Sequence, residues 1–222
     1  MEIKIIKKIL GSNEKKAAEN RRLLDTHKVF MINLIGSPGA GKTSMLEKTL
    51  GQLAGKYSCA VIEGDIATDR DARRLQKYNI PVALINTDGA CHLEAVSVAE
   101  ALAGFNLPET DFIFIENVGN LVCPAEFDLG EHAKCAVASV PEGDDKPAKY
   151  PGLFRAASVC LLNKIDLAPY VKFDVAKFLA DIKNIKSDLP VFQVSAAGNI
   201  NLDEWIEWLE KCVKKNNATG QI

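Results

Sequence analysis

The sequence predicts a three-layer α/β domain, in which a mostly parallel sheet is flanked by helices and preceded by an N-terminal helical extension. Three observations predict it. Short runs rich in valine and isoleucine recur along the chain without polar alternation, as strands buried on both faces do. Segments with apolar residues at helical spacing separate most of them, and strand, helix, strand in that order implies parallel pairing through right-handed crossovers. Finally, 222 residues, 47% hydrophobic and 25% charged, suffice to bury one good core.

The elements follow in order. Residues 1–28 carry Ile3, Ile6, Ile9 and Leu10 and then a charged run, which reads as a helical segment packed on the flank of the core. Strands are expected at VFMINLI (29–35), CAVIE (59–63), PVALIN (81–86), FIFIE (112–116), CAVASV (135–140), SVCLLN (158–163) and VFQV (191–194). Helical spacing marks SMLEKTLGQLAG, HLEAVSVAEALAG, VAKFLADIKNI and LDEWIEWLEKCVKK. One domain over 29–215 is the expectation, with 216–222 as a frayed tail.

Composition narrows the partners. A formal charge of −2 without a clustered basic stripe argues against nucleic acid or an anionic membrane. No run approaches the ~18 apolar residues of a membrane span, and the N-terminus lacks a signal-peptide cleavage site. A cytoplasmic location is therefore expected, where six cysteines remain thiols unless a metal claims them. Cys59, Cys135 and Cys160 lie in apolar runs and read as packed core thiols.

In an open parallel sheet, ligands bind beyond the carboxyl ends of the strands, so residues that follow the strands share one rim. Directly after the first strand comes Gly36-Ser37-Pro38-Gly39-Ala40-Gly41-Lys42-Thr43, a complete GxxxxGK[ST] phosphate loop opening a helical pattern. This makes the fold a P-loop nucleotide-binding one. Lys42 is placed to reach the β- and γ-phosphates and the Thr43 hydroxyl to hold Mg²⁺. Asn163-Lys164-Ile165-Asp166 follows SVCLLN and names the base. The Asp166 carboxylate can accept from guanine N1–H and its exocyclic amine, which adenine does not offer, so the expected nucleotides are GTP and GDP. Ser195-Ala196-Ala197 matches a short turn that supports the base. Asp65, ending VIEGD, and Glu116, opening Glu116-Asn117-Val118-Gly119, are candidates for binding Mg²⁺ or orienting water, and Gly119 for donating its N–H to the γ-phosphate. Asn120 stands where Ras-like proteins have a water-orienting glutamine. Slow intrinsic hydrolysis is the expectation.

Cys91 and His92 adjoin between PVALIN and the next helix, on the same rim, and Cys123 follows FIFIE by seven residues. Two thiolates and an imidazole suit Ni²⁺ or Zn²⁺ rather than Mg²⁺, and three ligands leave a position open for exchange or for a second chain. A helix beginning near His92 would favour thiolate at Cys91. The residues alone leave a rival reading open, in which Cys91 is an inert thiol and His92 a neighbour of the helix cap.

The residues GSPGAGKT, EGD, CHLEA, ENVGNLVCPAEFDLGE, EGDDKPAKYPG and NKIDL, in that order over nearly the whole chain, resemble the HypB family of hydrogenase nickel incorporation GTPases. The resemblance implies a P-loop class whose members dimerise through their nucleotide faces. It implies a nickel or zinc site at Cys91, His92 and Cys123 on the interface of a GTP-promoted homodimer. It also implies HypA and the hydrogenase large subunit as partners. The urease accessory relatives differ in having Cys-Pro-His, whereas no proline separates Cys91 from His92. Many family members carry an N-terminal CxxCGC or histidine-rich stretch; here residues 1–58 hold no cysteine and His27 alone, so nickel handling must rest on the rim. The implied function is a GTP-hydrolysing metallochaperone for NiFe hydrogenase maturation. The alternative is a GTP-dependent interaction switch with a structural zinc or no metal.

Overall fold

The computed structural model describes residues 8–65 and 74–219. Ile3 and Ile6 of the expected N-terminal segment, and the last three residues, lie outside them. All seven expected strands form: β1 (Phe30–Ile35), β2 (Cys59–Asp65), β3 (Val82–Asn86), β4 (Phe112–Glu116), β5 (Ala133–Ser139), β6 (Val159–Asn163) and β7 (Val191–Gln193). They make one sheet in the order β3-β2-β4-β1-β5-β6-β7, with every pairing parallel.

The helices are α1 (Lys8–His27), α2 (Lys42–Leu53), α3 (Ala95–Ala103), α4 (Cys123–Glu126), α5 (Lys146–Lys149), α6 (Pro151–Ala156), α7 (Val175–Ile185) and α8 (Leu202–Thr219). The last helix runs past residue 216, where the sequence suggested a tail. Helix α3 begins at Ala95 with Glu94 as its cap residue, three residues later than expected, so Cys91 and His92 sit in the turn ahead of it. The short helices α4 to α6 carry no long apolar period. Each opens with proline in its first turn, Pro124, Pro147 and Pro151, where a missing N–H costs nothing.

Strand alternation sends side chains to the two faces of the sheet, one apolar core on the first and two on the second. Ile32, Leu34, Val61, Phe112 and Phe114 face α2 and α8, packing with Met45, Leu46, Trp205 and Leu209. Trp205 is bonded as well as packed, its indole N–H donating to Thr49 Oγ1 at 2.8 Å. On the opposite face, Met31, Ile62, Ile113 and Ile115 meet Leu24 of α1 and Val98 and Leu102 of α3. Ile35, Ala136, Cys160 and Leu162 meet Phe154 of α6 and Phe178 and Ile182 of α7. The core thiols are inert: burial pushes Cys59 up to about 12 and Cys135 and Cys160 far above the ordinary thiol range.

Helix α1 does more than cover the sheet. Asn13 donates to Asp128 O at 2.7 Å and accepts from Ala95 N at 2.9 Å, while Asn20 donates to Ala95 O at 2.8 Å and Leu129 O at 3.0 Å. Arg21 Nη2 donates to both oxygens of the Asp128 carboxylate, at 2.9 and 3.1 Å, and Nη1 to Glu131 O. Gly130 permits this approach, since at φ +92° a Cβ would fall 2.6 Å from Ala17 O. One helix thereby ties the start of α3 to the segment after α4, the two stretches that follow the candidate metal ligands.

Candidate nucleotide and metal site

The phosphate loop leaves β1 and turns into α2 at Lys42. Gly41 takes φ +97°, and a Cβ there would lie 2.3 Å from Asn163 Nδ2, so glycine alone fits the turn. Lys42 Nζ donates to Gly36 O at 3.2 Å and Ser37 O at 3.4 Å, holding its ammonium over its own loop. Thr43 Oγ1 donates to Glu116 Oε1 at 2.7 Å. These residues border a cleft of about 520 Å³ that Gly39, Gly41 and Gly119 also line.

The sheet register adds a residue that the sequence reading missed. Glu63 of β2 stands opposite Glu116 of β4, is likewise buried, and lines the same cleft. Two buried carboxylates beside the Thr43 hydroxyl form an all-oxygen donor set, which suits a hard divalent cation. The available signal was strand alternation: Glu63 lies two residues before Asp65 and therefore on its face. Asp65 ends β2, and its side chain lies outside the described residues.

At the base end, Asn163 links two loops. Its Nδ2 donates to Ala40 O at 3.0 Å, and its Oδ1 accepts from Ala196 N at 3.2 Å. Lys164, at φ +59°, donates to Gly39 O at 2.6 Å. Ser195 Oγ accepts from Gly198 N at 2.8 Å and closes the supporting turn. A second cleft of about 270 Å³ opens among Asn163, Lys164, Ala196 and Ala197. The Asp166 Oδ1 atom is buried with no hydrogen-bond partner among the described residues. Such an acceptor is costly unless a ligand satisfies it.

Cys91, His92 and Cys123 come together, one ligand atom from each lying within 4.8 Å of the others. Cys91 Sγ stands 3.0 Å from Cys123 Sγ and 3.6 Å from His92 Nδ1. Two sulfurs bound to one cation at roughly 2.3 Å each lie about 3.3–3.8 Å apart at right-angle to tetrahedral geometry, so the pair has to open by less than about 1 Å to share an ion. The hydrogen bond with Cys91 pushes the Cys123 thiol above its ordinary range, and a metal would have to displace that proton. The His92 ring stacks on Phe127 at 3.8 Å, and its Nε2 is buried without a partner.

Asn120 explains how the ligands are held. Its Nδ2 donates to Cys91 O at 3.1 Å and its Oδ1 accepts from Val122 N at 2.9 Å. The side chain at the position compared with a water-orienting glutamine thus braces both metal segments instead. Cys123 stands four residues beyond Gly119, which lines the nucleotide cleft.

A family model described as the CobW/HypB/UreG nucleotide-binding domain matches residues 30–193. The hydrogenase maturation factor HypB of Azotobacter vinelandii is 47% identical over 209 residues, covering 94% of this chain and 69% of that protein. Among solved structures, HypB from Helicobacter pylori in complex with nickel superposes with a TM-score of 0.88 at 36% identity, covering 93% of this chain and 97% of the other. The hydrogenase maturation factor HypB from Archaeoglobus fulgidus superposes with a TM-score of 0.87 at 34% identity, covering 92% and 100%. With the phosphate loop, the base loop and the thiol–imidazole cluster in one rim, these matches establish that the chain belongs to the HypB hydrogenase maturation factors of the CobW/HypB/UreG family.

Proposed function

We propose that this protein is a GTP-hydrolysing metallochaperone that carries nickel at Cys91, His92 and Cys123 and releases it during maturation of a NiFe hydrogenase. The observation that carries this reading is the convergence of two sulfurs and an imidazole from two stretches far apart in sequence, the second of which follows the cleft-lining Gly119. The donor set divides the metals. Sulfur and imidazole suit Ni²⁺, with Zn²⁺ as competitor, whereas the Thr43 hydroxyl and the Glu116 carboxylate suit Mg²⁺.

In GTP turnover, the N–H groups of the Gly36–Thr43 loop and Lys42 bind the phosphates, and Asp166 satisfies its orphaned oxygen on guanine. Thr43 and Glu116 would hold Mg²⁺, which supplies charge neutralisation at the β- and γ-phosphate oxygens. Glu116, Glu63 or Asp65 would orient the attacking water. Because Asn120 is committed to Cys91 O and Val122 N, intrinsic hydrolysis is slow. The expected assay result is GTP turnover by the purified protein that Lys42→Ala lowers by about two to four powers of ten, the range for a preorganised charge acting on phosphoryl transfer. Equal rates for the two proteins would reject the P-loop assignment.

The active form is a homodimer favoured by GTP. Cys91 is exposed, Val122 beside Cys123 is half exposed, and three ligands leave a tetrahedral position open, which a second copy can fill. Nickel would pass from this site to HypA or the hydrogenase large subunit.

A further inference from the structure

From Asn117, which lines the nucleotide cleft, a run of buried polar side chains leads to the stretch after Cys123. It begins in the segment after β4, where Asn117 Oδ1 accepts from Val118 N at 3.0 Å. Asn117 Nδ2 donates to Asn33 Oδ1 at 3.1 Å, and Asn33 Nδ2 donates to Glu131 Oε1 at 3.2 Å. Glu131 Oε2 accepts from Leu129 N at 2.7 Å. Asn33, Asn117 and Glu131 are 0%, 2% and 3% exposed, so the whole run is shut off from water.

Its placement is unusual for a sheet core. Asn33 occupies the middle of β1, between Met31 in one apolar core and Ile35 in the other. A buried amide at such a position costs stability unless it is hydrogen-bonded, and Asn33 is bonded at both its oxygen and its nitrogen. An apolar residue would pack the seam between the two cores without that demand. What the polar run provides is connection, because its two ends lie on different ligand segments. One end is the backbone between Glu116 and Gly119, which lines the nucleotide cleft. The other is the stretch after Cys123, where Lys134 Nζ near Glu131 also holds Ala125 O at 2.8 Å and Phe127 O at 2.9 Å. Phe127 carries the His92 ring.

We infer that Asn33, Asn117 and Glu131 are positioning residues that transmit the state of the nucleotide-lining segment to the segment bearing the metal ligands. A γ-phosphate that draws on the Gly119 N–H moves the neighbouring Val118 N–H, and with it the Asn117 amide. The Asn33 backbone is paired with β4 on one side and β5 on the other, so the response falls on its side-chain amide, which turns with that of Asn117. Glu131 then gains or loses an acceptor bond, and the 123–131 segment tightens or loosens. This inference deepens the metallochaperone reading and rests on it for its consequence, though the link itself involves no metal.

The test uses the full chain held with GDP or with a nonhydrolysable GTP analogue, without nickel, and follows amide hydrogen exchange over 123–131. In the wild type, exchange in that stretch differs between the two nucleotides. In Asn33→Leu, similar in size but without the amide, the difference disappears; in Glu131→Gln, which keeps one acceptor, it shrinks. A merely structural role would raise exchange equally in both nucleotide states and leave the difference standing, which overturns the inference. A wild type whose 123–131 exchange ignores the nucleotide overturns it as well. Should Asn33→Leu fail to fold, Glu131→Gln decides by the same criterion. Nickel titrations of the wild type in both nucleotide states separate the two ideas: nucleotide-dependent exchange with nucleotide-blind nickel affinity retains the link and removes the metal gating.

Discussion

Asp166→Asn should cost the protein its preference for guanine. The wild-type carboxylate has a buried oxygen without a partner and can accept from both guanine N1–H and the exocyclic amine. Hydrogen bonds to a charged group are worth about 1.5–3 kcal/mol each, and asparagine keeps one acceptor while turning the other into a donor, so losing one such bond weakens GTP by roughly 1.5–3 kcal/mol, or about one to two powers of ten in Kd. The replacement also creates a new complement. An asparagine amide presents one acceptor and one donor, and xanthine offers N1–H beside a carbonyl, so xanthosine triphosphate should become the better ligand. Competition against a fluorescent guanine nucleotide measures both changes. An unchanged order of affinities would mean that Asp166 does not face the base.

Cys123→Ala should remove nickel and spare the nucleotide. Loss of an outer-shell partner alone costs a metal site about 10–100-fold in affinity, and a direct sulfur ligand costs more. Nickel binding, followed by equilibrium dialysis, should therefore weaken by at least about 100-fold. The nucleotide cleft is lined by Gly119 but not by Cys123, so GDP affinity measured without metal should not move. Parallel losses of both ligands would point instead to general disruption of the rim.

The contrast between these two sites reflects what a sequence can display. Phosphate and base loops are local: GSPGAGKT and NKID each bring their chemistry within a few residues, and the seven apolar runs locate them on one rim. The metal site is not local. Cys91 and Cys123 are 32 residues apart, and only the β3-β2-β4 order brings their loops together. Spacing left an inert thiol as good a reading until the resemblance was added. The roles of three residues escaped the sequence. Glu63 was hidden inside a strand, because its function arises from register with Glu116. Asn120 looked like a missing catalytic group, whereas it braces the ligand loops. Asn33 in FMINLI reads as a polar interruption of a buried strand, and its partners lie 84 and 98 residues away.

The nucleotide and nickel sites are proposed to be coupled. Coupling is reciprocal in binding free energy, and typical couplings of 1–3 kcal/mol correspond to about 5–150-fold in affinity. The direct measurement is a nickel titration of the wild-type protein, read by thiolate-to-nickel charge-transfer absorption, with GDP bound and again with a nonhydrolysable GTP analogue. The account predicts charge-transfer bands that Cys123→Ala abolishes and two nickel constants that differ by about fivefold or more. Identical constants in the two states, or nickel bound without sulfur bands, would contradict it.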